Sequence, residues 1–405
     1  MKRSMQKQKD KLVFLCALVY FTSYLTRVNF AAVLVEIIRS DGFARTAVSV
    51  APTGLFITYG AGQLVSGYLG DRVEPHHLIF LGLFVCALMN ALIPFCPNPR
   101  WMTLVWSVNG FAQALIWPPQ LRILSQYLTV EEYKRATVKV SWGGSLGTIF
   151  VYLTAPFFIA SSGWRAVFFA SALVALVVTG FWCLGYRRLE GDLEPVVRQS
   201  YVEARGAQER PIFPFMGMLL LILFSIVLQG MLKDGITTWM PTYLSDIYRT
   251  GSGKAIFTSV LLPVFSMVSH RLVLYINYRL IPNEMLCSGV LFFLCFVALL
   301  LLNTVASGLA AAVLSLAVAV GSIHGVNLIQ TCMLPQHFLR YGRISLVSGV
   351  LNSCSYLGST LSIFGIAAVT EKLGWNATLF SWCGIALVGG LLCLSCARRW
   401  EAFKQ

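Results

Sequence analysis

The sequence predicts an all-α membrane protein of twelve transmembrane helices in two pseudo-symmetric six-helix bundles. Three observations predict it. The 405 residues are 57% hydrophobic and only 12% charged, about half the charged fraction of an ordinary soluble domain. The apolar residues gather into runs of about twenty, the length that crosses a bilayer core at ~1.5 Å per helical residue. The second half of the chain also echoes the first at a nearly constant offset.

The apolar runs are 12–36, 47–70, 77–97, 101–127, 137–161, 164–186, 214–244, 254–277, 284–303, 306–335, 343–370 and 375–397. Several run long, which implies tilt or protruding ends. Membrane strands would show ten-residue alternation, and none is visible. The basic opening Met1–Lys11 leads directly into a full-length span. A secretory signal has a shorter apolar region and a small-residue cleavage site, so the first span is expected to be retained.

The net charge of +14 is explained by orientation rather than by nucleic acid, and no nucleic-acid partner is expected. With both termini in the cytoplasm, 21 Lys and Arg fall on inside segments and 7 on outside loops. The positive-inside rule then fixes the orientation, as for a multi-pass protein of a bacterial inner or plasma membrane. The three remaining cations are Arg27, Arg122 and Lys233, which lie within spans or at their ends. The 11 cysteines have no metal or disulfide spacing. Cys393 and Cys396 form a CxxC inside the last span and read as small packing residues.

Two motif pairs carry the repeat. YKRATVKVSWGGSLGT begins at Tyr133 and YGRISLVSGVLNSCSYLGST at Tyr341, 208 residues apart; GWRAVFF begins at Gly163 and GWNATLF at Gly374, 211 apart. A half-chain repeat of six spans marks a transporter built from two parallel bundles. The expected organisation is a bundle over 1–186, a polar cytoplasmic linker over 187–213, and a second bundle over 214–405. One chain carries both halves, so a monomer is expected.

The same offset relates two cations. Arg27 in span 1 and Lys233 in span 7 are 206 residues apart. Cations within a bilayer cost ~2.5–3.5 kcal/mol on insertion scales. Two at equivalent positions suggest an anion clamp across a central cavity; the plainer reading is that each is neutralised by a neighbour or reaches toward the interface. Tyr20, Ser23 and Tyr24 share the helical face of Arg27. Arginine offers a planar fork for phosphate or carboxylate, and lysine a mobile point charge. Asp234 follows Lys233, yet helical neighbours do not face each other. Lys233 is therefore expected to be free for the cavity, with Asp234 bonded to another helix or to backbone loosened by Gly235.

Further candidates follow from spacing. His324, with Asn327 one turn on, could titrate or couple protons, or could simply bond a neighbouring helix. Gln113, Trp117 and Gln120 lie about a turn apart on span 4, as neutral donors or as packing residues. Trp142 and Ser145 are weaker candidates of the same kind. Arg122 follows the WPP turn and is expected in a gate or loop contact. There is no phosphate-cradling glycine loop with GKS or GKT, no metal spacing and no catalytic constellation, so neither an enzyme nor a cofactor is expected.

The stretch GYLGDRVEPHHL, residues 67–78, resembles the span 2–3 loop motif of the major facilitator superfamily, with Gly67, Leu69, Asp71 and Arg72 in place. YLTRVNFA in span 1, YGAGQLVSGYLGDR in span 2, WPPQLR in span 4 and LKDGITTWMPTYL in span 7 resemble the organophosphate:phosphate antiporter family, whose members include glycerol-phosphate and hexose-phosphate exchangers. The resemblance runs over all twelve spans. It implies the major facilitator fold, with Asp71 and Arg72 in a cytoplasmic gate. The family's span 1 arginine falls on Arg27, its span 7 arginine on Lys233, its span 4 tryptophan on Trp117 and a span 11 tyrosine on Tyr356. A span 2 lysine of the glycerol-phosphate exchangers falls on Gln63, and their span 5 histidine near Leu146. The clamp is kept and two auxiliary groups are lost; a less positive cavity suits a less charged anion.

The expected function is secondary active transport of a small organic anion, a phosphate ester exchanged for inorganic phosphate by alternating access. The expected substrate-binding residues are Arg27, Lys233, Tyr24, Gln63, Gln113, Trp117, Gln120, His324, Asn327 and Tyr356; the expected gating residues are Asp71, Arg72, Arg122 and Asp234. The alternatives are a proton-coupled organic-anion symporter using His324 or Asp234, and a transporter-like membrane sensor of a phosphorylated metabolite. The partners implied are the anion, phosphate as counter-ion, and the lipid bilayer.

Overall fold

A computed structural model describes residues 2–43, 45–193, 213–248, 252–304, 308–341 and 343–404. Among them are twelve α-helices. In order these are α1 (Lys2–Asp41), α2 (Arg45–Gly70), α3 (Pro75–Leu92), α4 (Pro99–Ala114), α5 (Trp117–Tyr127), α6 (Val130–Ser162), α7 (Trp164–Asp192), α8 (Met216–Tyr248), α9 (Ser252–Arg279), α10 (Glu284–Thr304), α11 (Leu309–Asn327) and α12 (Ile344–Lys404). The all-α expectation holds. Of the expected linker over 187–213, residues 194–212 lie outside the described residues; its first six continue α7.

Helices and expected spans do not correspond one to one. Span 4 is divided into α4 and α5, which opens at Trp117 with Pro118 and Pro119 in its first turn. Proline has no N–H to continue the ladder of α4, but it fits the first turn of a new helix. Spans 11 and 12 run together in α12 as two helices that meet at Gly374, where φ is 79° and ψ 179°. The partner motif shows the same backbone: Gly163, between α6 and α7, has φ 80° and ψ 172°. That region is essentially restricted to glycine. The GW repeat read from the sequence is thus a repeat of conformation.

Among the described residues, eight helices are long and apolar enough to cross a membrane. Their exposed faces have the pattern that lipid contact requires. Leu286, Val290, Leu294, Val297 and Leu301 are exposed along α10, three or four residues apart and so on one stripe. Spans 2, 4, 8 and 11 fall outside the eight. Helix α2 shows one reason: Gln63 and Ser66 are fully buried. A Cβ at Gly62 would press on Ala114 and Phe111 of α4. Small residues let membrane helices approach closely where no lipid intervenes.

The chain divides into two compact units. One comprises Met1–Glu209 with Phe338–Val350, the other Arg210–His337 with Leu351–Gln405. In the first, α1 packs on α6 and α7, α2 on α4, and α3 on α7. Phe30, Trp106, Trp164 and Phe168 form its aromatic core. In the second, α11 packs on α8, α9 and α10. Cys393 and Cys396 are each 1% exposed and free, as expected of packing residues.

Candidate functional site

In the first unit the span 1 arginine lies on aromatic faces. The Arg27 guanidinium carbon is 4.2 Å from the centre of the Tyr24 ring and 5.2 Å from that of Tyr59 on α2. Tyr24 in turn meets Tyr20, hydroxyl to hydroxyl at 3.5 Å, and Tyr20 lies 4.5 Å from the Trp117 ring. Arg27, Tyr24, Tyr20 and Trp117 are therefore one continuous assembly, built on the one-turn spacing of α1 and the first residue of α5. Cation–π contact holds a guanidinium in place without neutralising its charge. Ser23 does not join them: it is buried and donates to the Tyr20 carbonyl.

A second face of α1 anchors the helix. Gln113 Nε2 donates to the Ser23 carbonyl at 2.8 Å and to Thr26 Oγ1 at 2.9 Å. Gln120 Nε2 donates to the Cys16 carbonyl at 2.7 Å. Both amide groups thus tie span 4 to α1, the packing role that was the alternative reading of these two residues. The sequence reading missed the centre of this network. Asn29 donates to Asn90 at 2.7 Å and to Ser171 at 3.0 Å, while Asn90 and Asn109 each donate to the Thr26 carbonyl at 3.1 Å. Asparagines inside apolar runs were the available signal, since buried amides in lipid-embedded helices need partners.

Gln63 is fully buried, and among the described residues neither of its amide atoms has a hydrogen-bond partner. Leu146 is 48% exposed. Asp71 and Arg72 have separate surroundings. Asp71 accepts the N–H groups of Ser345 and Leu346, at 2.9 and 2.8 Å, at the start of α12. The Arg72 guanidinium lies 3.7 Å from the Tyr68 ring centre. Arg122 donates to the carbonyls of Gly70 and Val73, a contact to the turn between α2 and α3.

In the second unit α8 and α12 meet along glycines. A Cβ on Gly230 would strike the Ser355 carbonyl, and one on Gly358 the Val227 carbonyl. This close approach places Ser355, Tyr356 and Ser359 beside the polar residues of α8. Lys233 Nζ is 5.2 Å from the Tyr356 ring centre. It is also 3.5 Å from Asp234 Oδ2, which Ser359 Oγ contacts as a donor. The expectation that Lys233 is free of its neighbour is overturned here: the long lysine stem bends back to the Asp234 carboxylate. The part of the reading that bonded Asp234 to another helix holds.

Asn327 accepts from Gln229 Nε2 at 3.2 Å, and Gln229 Oε1 accepts from Ser355 at 3.2 Å. His324 Nδ1 lies 3.3 Å from Ser266 Oγ on α9, the bond to a neighbouring helix that was its plainer reading. A π-helical turn, Leu328–Met333, follows Asn327. The sequence reading also missed Glu284, which is 1% exposed and contacts three donors: His337 at 3.1 Å, Trp400 at 3.0 Å and Lys404 at 2.9 Å.

The sequence pattern of the Major Facilitator Superfamily matches residues 16–363. The chain belongs to that superfamily. Its fold is that of a solved superfamily member, the proton:xylose symporter XylE bound to 6-bromo-6-deoxy-D-glucose, with a TM-score of 0.75 over 99% of this chain and 96% of that one at 11% sequence identity. Such low identity carries the fold and nothing finer. The chain is also 27% identical over 254 residues to the glycerol-3-phosphate transporter of Bacillus subtilis, covering 56% of this chain and 55% of that protein. It is 25% identical over 179 residues to a probable hexose phosphate transport protein of Chlamydia trachomatis serovar D, covering 44% of this chain and 39% of that one. The chain thus matches about half, or less, of the length of these relatives. The superfamily match and the apolar helices make it a multi-pass membrane protein.

Proposed function

We propose that this facilitator carries a small organic anion across the membrane by alternating access, and that the anion is a phosphate ester exchanged for inorganic phosphate. One observation carries the reading: Arg27 and Lys233, 206 residues apart in a repeated chain, are membrane-embedded cations that each lie against a tyrosine within their own unit. A ring face positions a cation without cancelling its charge, and Lys233 also lies beside the Asp234 carboxylate. The named substrates of the two relatives, glycerol 3-phosphate and hexose phosphate, support an ester. In this reading Arg27 and Lys233 bind the anion, aided by Tyr24, Trp117, Tyr356, Gln63, His324 and Asn327, while Asp71, Arg72 and Arg122 serve the conformational change. Both termini lie in the cytoplasm, on the 21 to 7 bias of Lys and Arg.

Counterflow in liposomes tests the proposal. Vesicles containing the purified protein are loaded with inorganic phosphate, and entry of labelled phosphate and glycerol 3-phosphate is followed with and without internal anion. Exchange predicts entry only when anion is inside. Uptake driven by a pH gradient into anion-free vesicles would replace exchange by proton symport. Binding without any entry would point to a sensor.

A further inference from the structure

The Lys233 ammonium already has an anion beside it. Asp234 Oδ2 lies 3.5 Å from Lys233 Nζ, with the lysine side chain 12% and the aspartate side chain 29% exposed. Successive residues of a helix point about 100° apart, so the pair closes only because the lysine stem bends. A second helix holds the carboxylate in this position. Ser359 Oγ donates to the same Oδ2 and is itself anchored near the carbonyls of Ser355, at 3.0 Å, and Gly230, at 3.4 Å. The glycine seam of Gly230 and Gly358 sets the close approach of α8 and α12 that makes this possible.

We propose that Asp234 is a resident counter-anion: it neutralises Lys233 when no substrate is bound, competes with the incoming anion for that ammonium, and so sets the anion affinity of the second unit. The inference rests on Lys233 being an anion-binding residue, as proposed above. An uncompensated ammonium among apolar helices is costly, and a tethered carboxylate removes most of that cost from the empty protein. The same carboxylate must then be displaced, or its repulsion overcome, before an anion gains the lysine. Asp234 thereby trades affinity for a stable empty state, and an exchanger needs release as much as binding. Ser359 is the positioning residue that keeps the carboxylate in reach.

The test is a double-mutant cycle on the full chain in detergent, with inorganic phosphate and glycerol 3-phosphate as probes and titration calorimetry as readout. Monodisperse elution and a single cooperative melting transition establish that each variant is folded. Asp234→Asn keeps the size and the acceptor for Ser359 but removes the charge. It is expected to tighten binding of both probes about two- to fivefold, the equivalent of one partly exposed ion pair. Lys233→Gln is expected to weaken binding, and adding Asp234→Asn to it should restore nothing, since the competitor then has nothing to compete for. If Asp234→Asn leaves affinity unchanged or lowers it while Lys233→Gln weakens it, the counter-anion role is overturned and the anion-binding lysine stands. If the tightening persists without Lys233, Asp234 acts as a general field and the inference also fails. Binding by Lys233→Gln equal to the unaltered protein would instead overturn the reading of Lys233 itself. No binding of either probe by any of the four proteins would overturn both.

Discussion

Asp71 caps the start of α12 from 274 residues away in the sequence, its two oxygens accepting the N–H groups of Ser345 at 2.9 Å and Leu346 at 2.8 Å. The residues just before this helix, Gly342 and Arg343, offer no side-chain oxygen to do so locally. The first N–H groups of a helix need acceptors, and a carboxylate there also meets the positive end of the helix dipole. Glycines at 67 and 70 allow the approach, since a Cβ at either would press on residues 345–349.

Loss of that cap should therefore be felt at a distance. Asp71→Ala is expected to destabilise the protein by about 1–2 kcal/mol, read from unfolding in detergent. Asp71→Asn, which can accept only one of the two bonds, should fall between. Equal stability of all three proteins would contradict a capping role.

The two repeated glycines make a conformational prediction. At Gly163 and Gly374 a Cβ would meet nothing within 4 Å, yet φ is 80° and 79°. Alanine there should cost about 1–3 kcal/mol through backbone strain alone. Gly180 of α7 also has open space but an ordinary helical backbone. Gly180→Ala is expected to be neutral or slightly stabilising, and comparing the three melting curves separates strain from crowding.

The asparagine network should behave as a structural anchor. Asn90, fully buried, bonds Asn29, Thr26 and Cys86. Asn90→Ala is expected to lower stability by about 1–2 kcal/mol and to reduce transport only in proportion to the folded protein recovered. A selective loss of turnover in fully folded protein would place Asn90 in the transport cycle instead.

The cations should behave in the opposite way. Arg27→Ala and Lys233→Ala are expected to abolish exchange in liposomes even in the fully folded protein recovered. Lys233→Arg should keep part of it, because the charge persists while the geometry changes. Full transport by Arg27→Ala would remove the clamp from the mechanism.

Glu284 gives a stability prediction independent of transport. Lys404→Met leaves a carboxylate that is 1% exposed without one of its donors. Removing one member of a buried pair leaves the other charge uncompensated, so a loss of about 3 kcal/mol is expected in unfolding experiments.

The sequence by itself determined the bilayer as solvent, the number of spans, the repeat and the equivalent positions of Arg27 and Lys233 in its two halves. Each of these is a local property: run length, charge count, or identity at a fixed offset. It also located the GW breaks, because a glycine-only backbone leaves a mark in the sequence. The tertiary structure decided what each polar side chain does once helices touch. Gln113 and Gln120 became ties to α1, Asn29 and Asn90 a hub, and Glu284 a buried junction, since their partners on other helices lie between 53 and 142 residues away. Lys233 reached Asp234 because a flexible stem, and a serine on α12 that holds the carboxylate, outweighed the angle between helical neighbours. A sequence states which groups must find partners in a membrane; only the packing of helices chooses which partner each one finds.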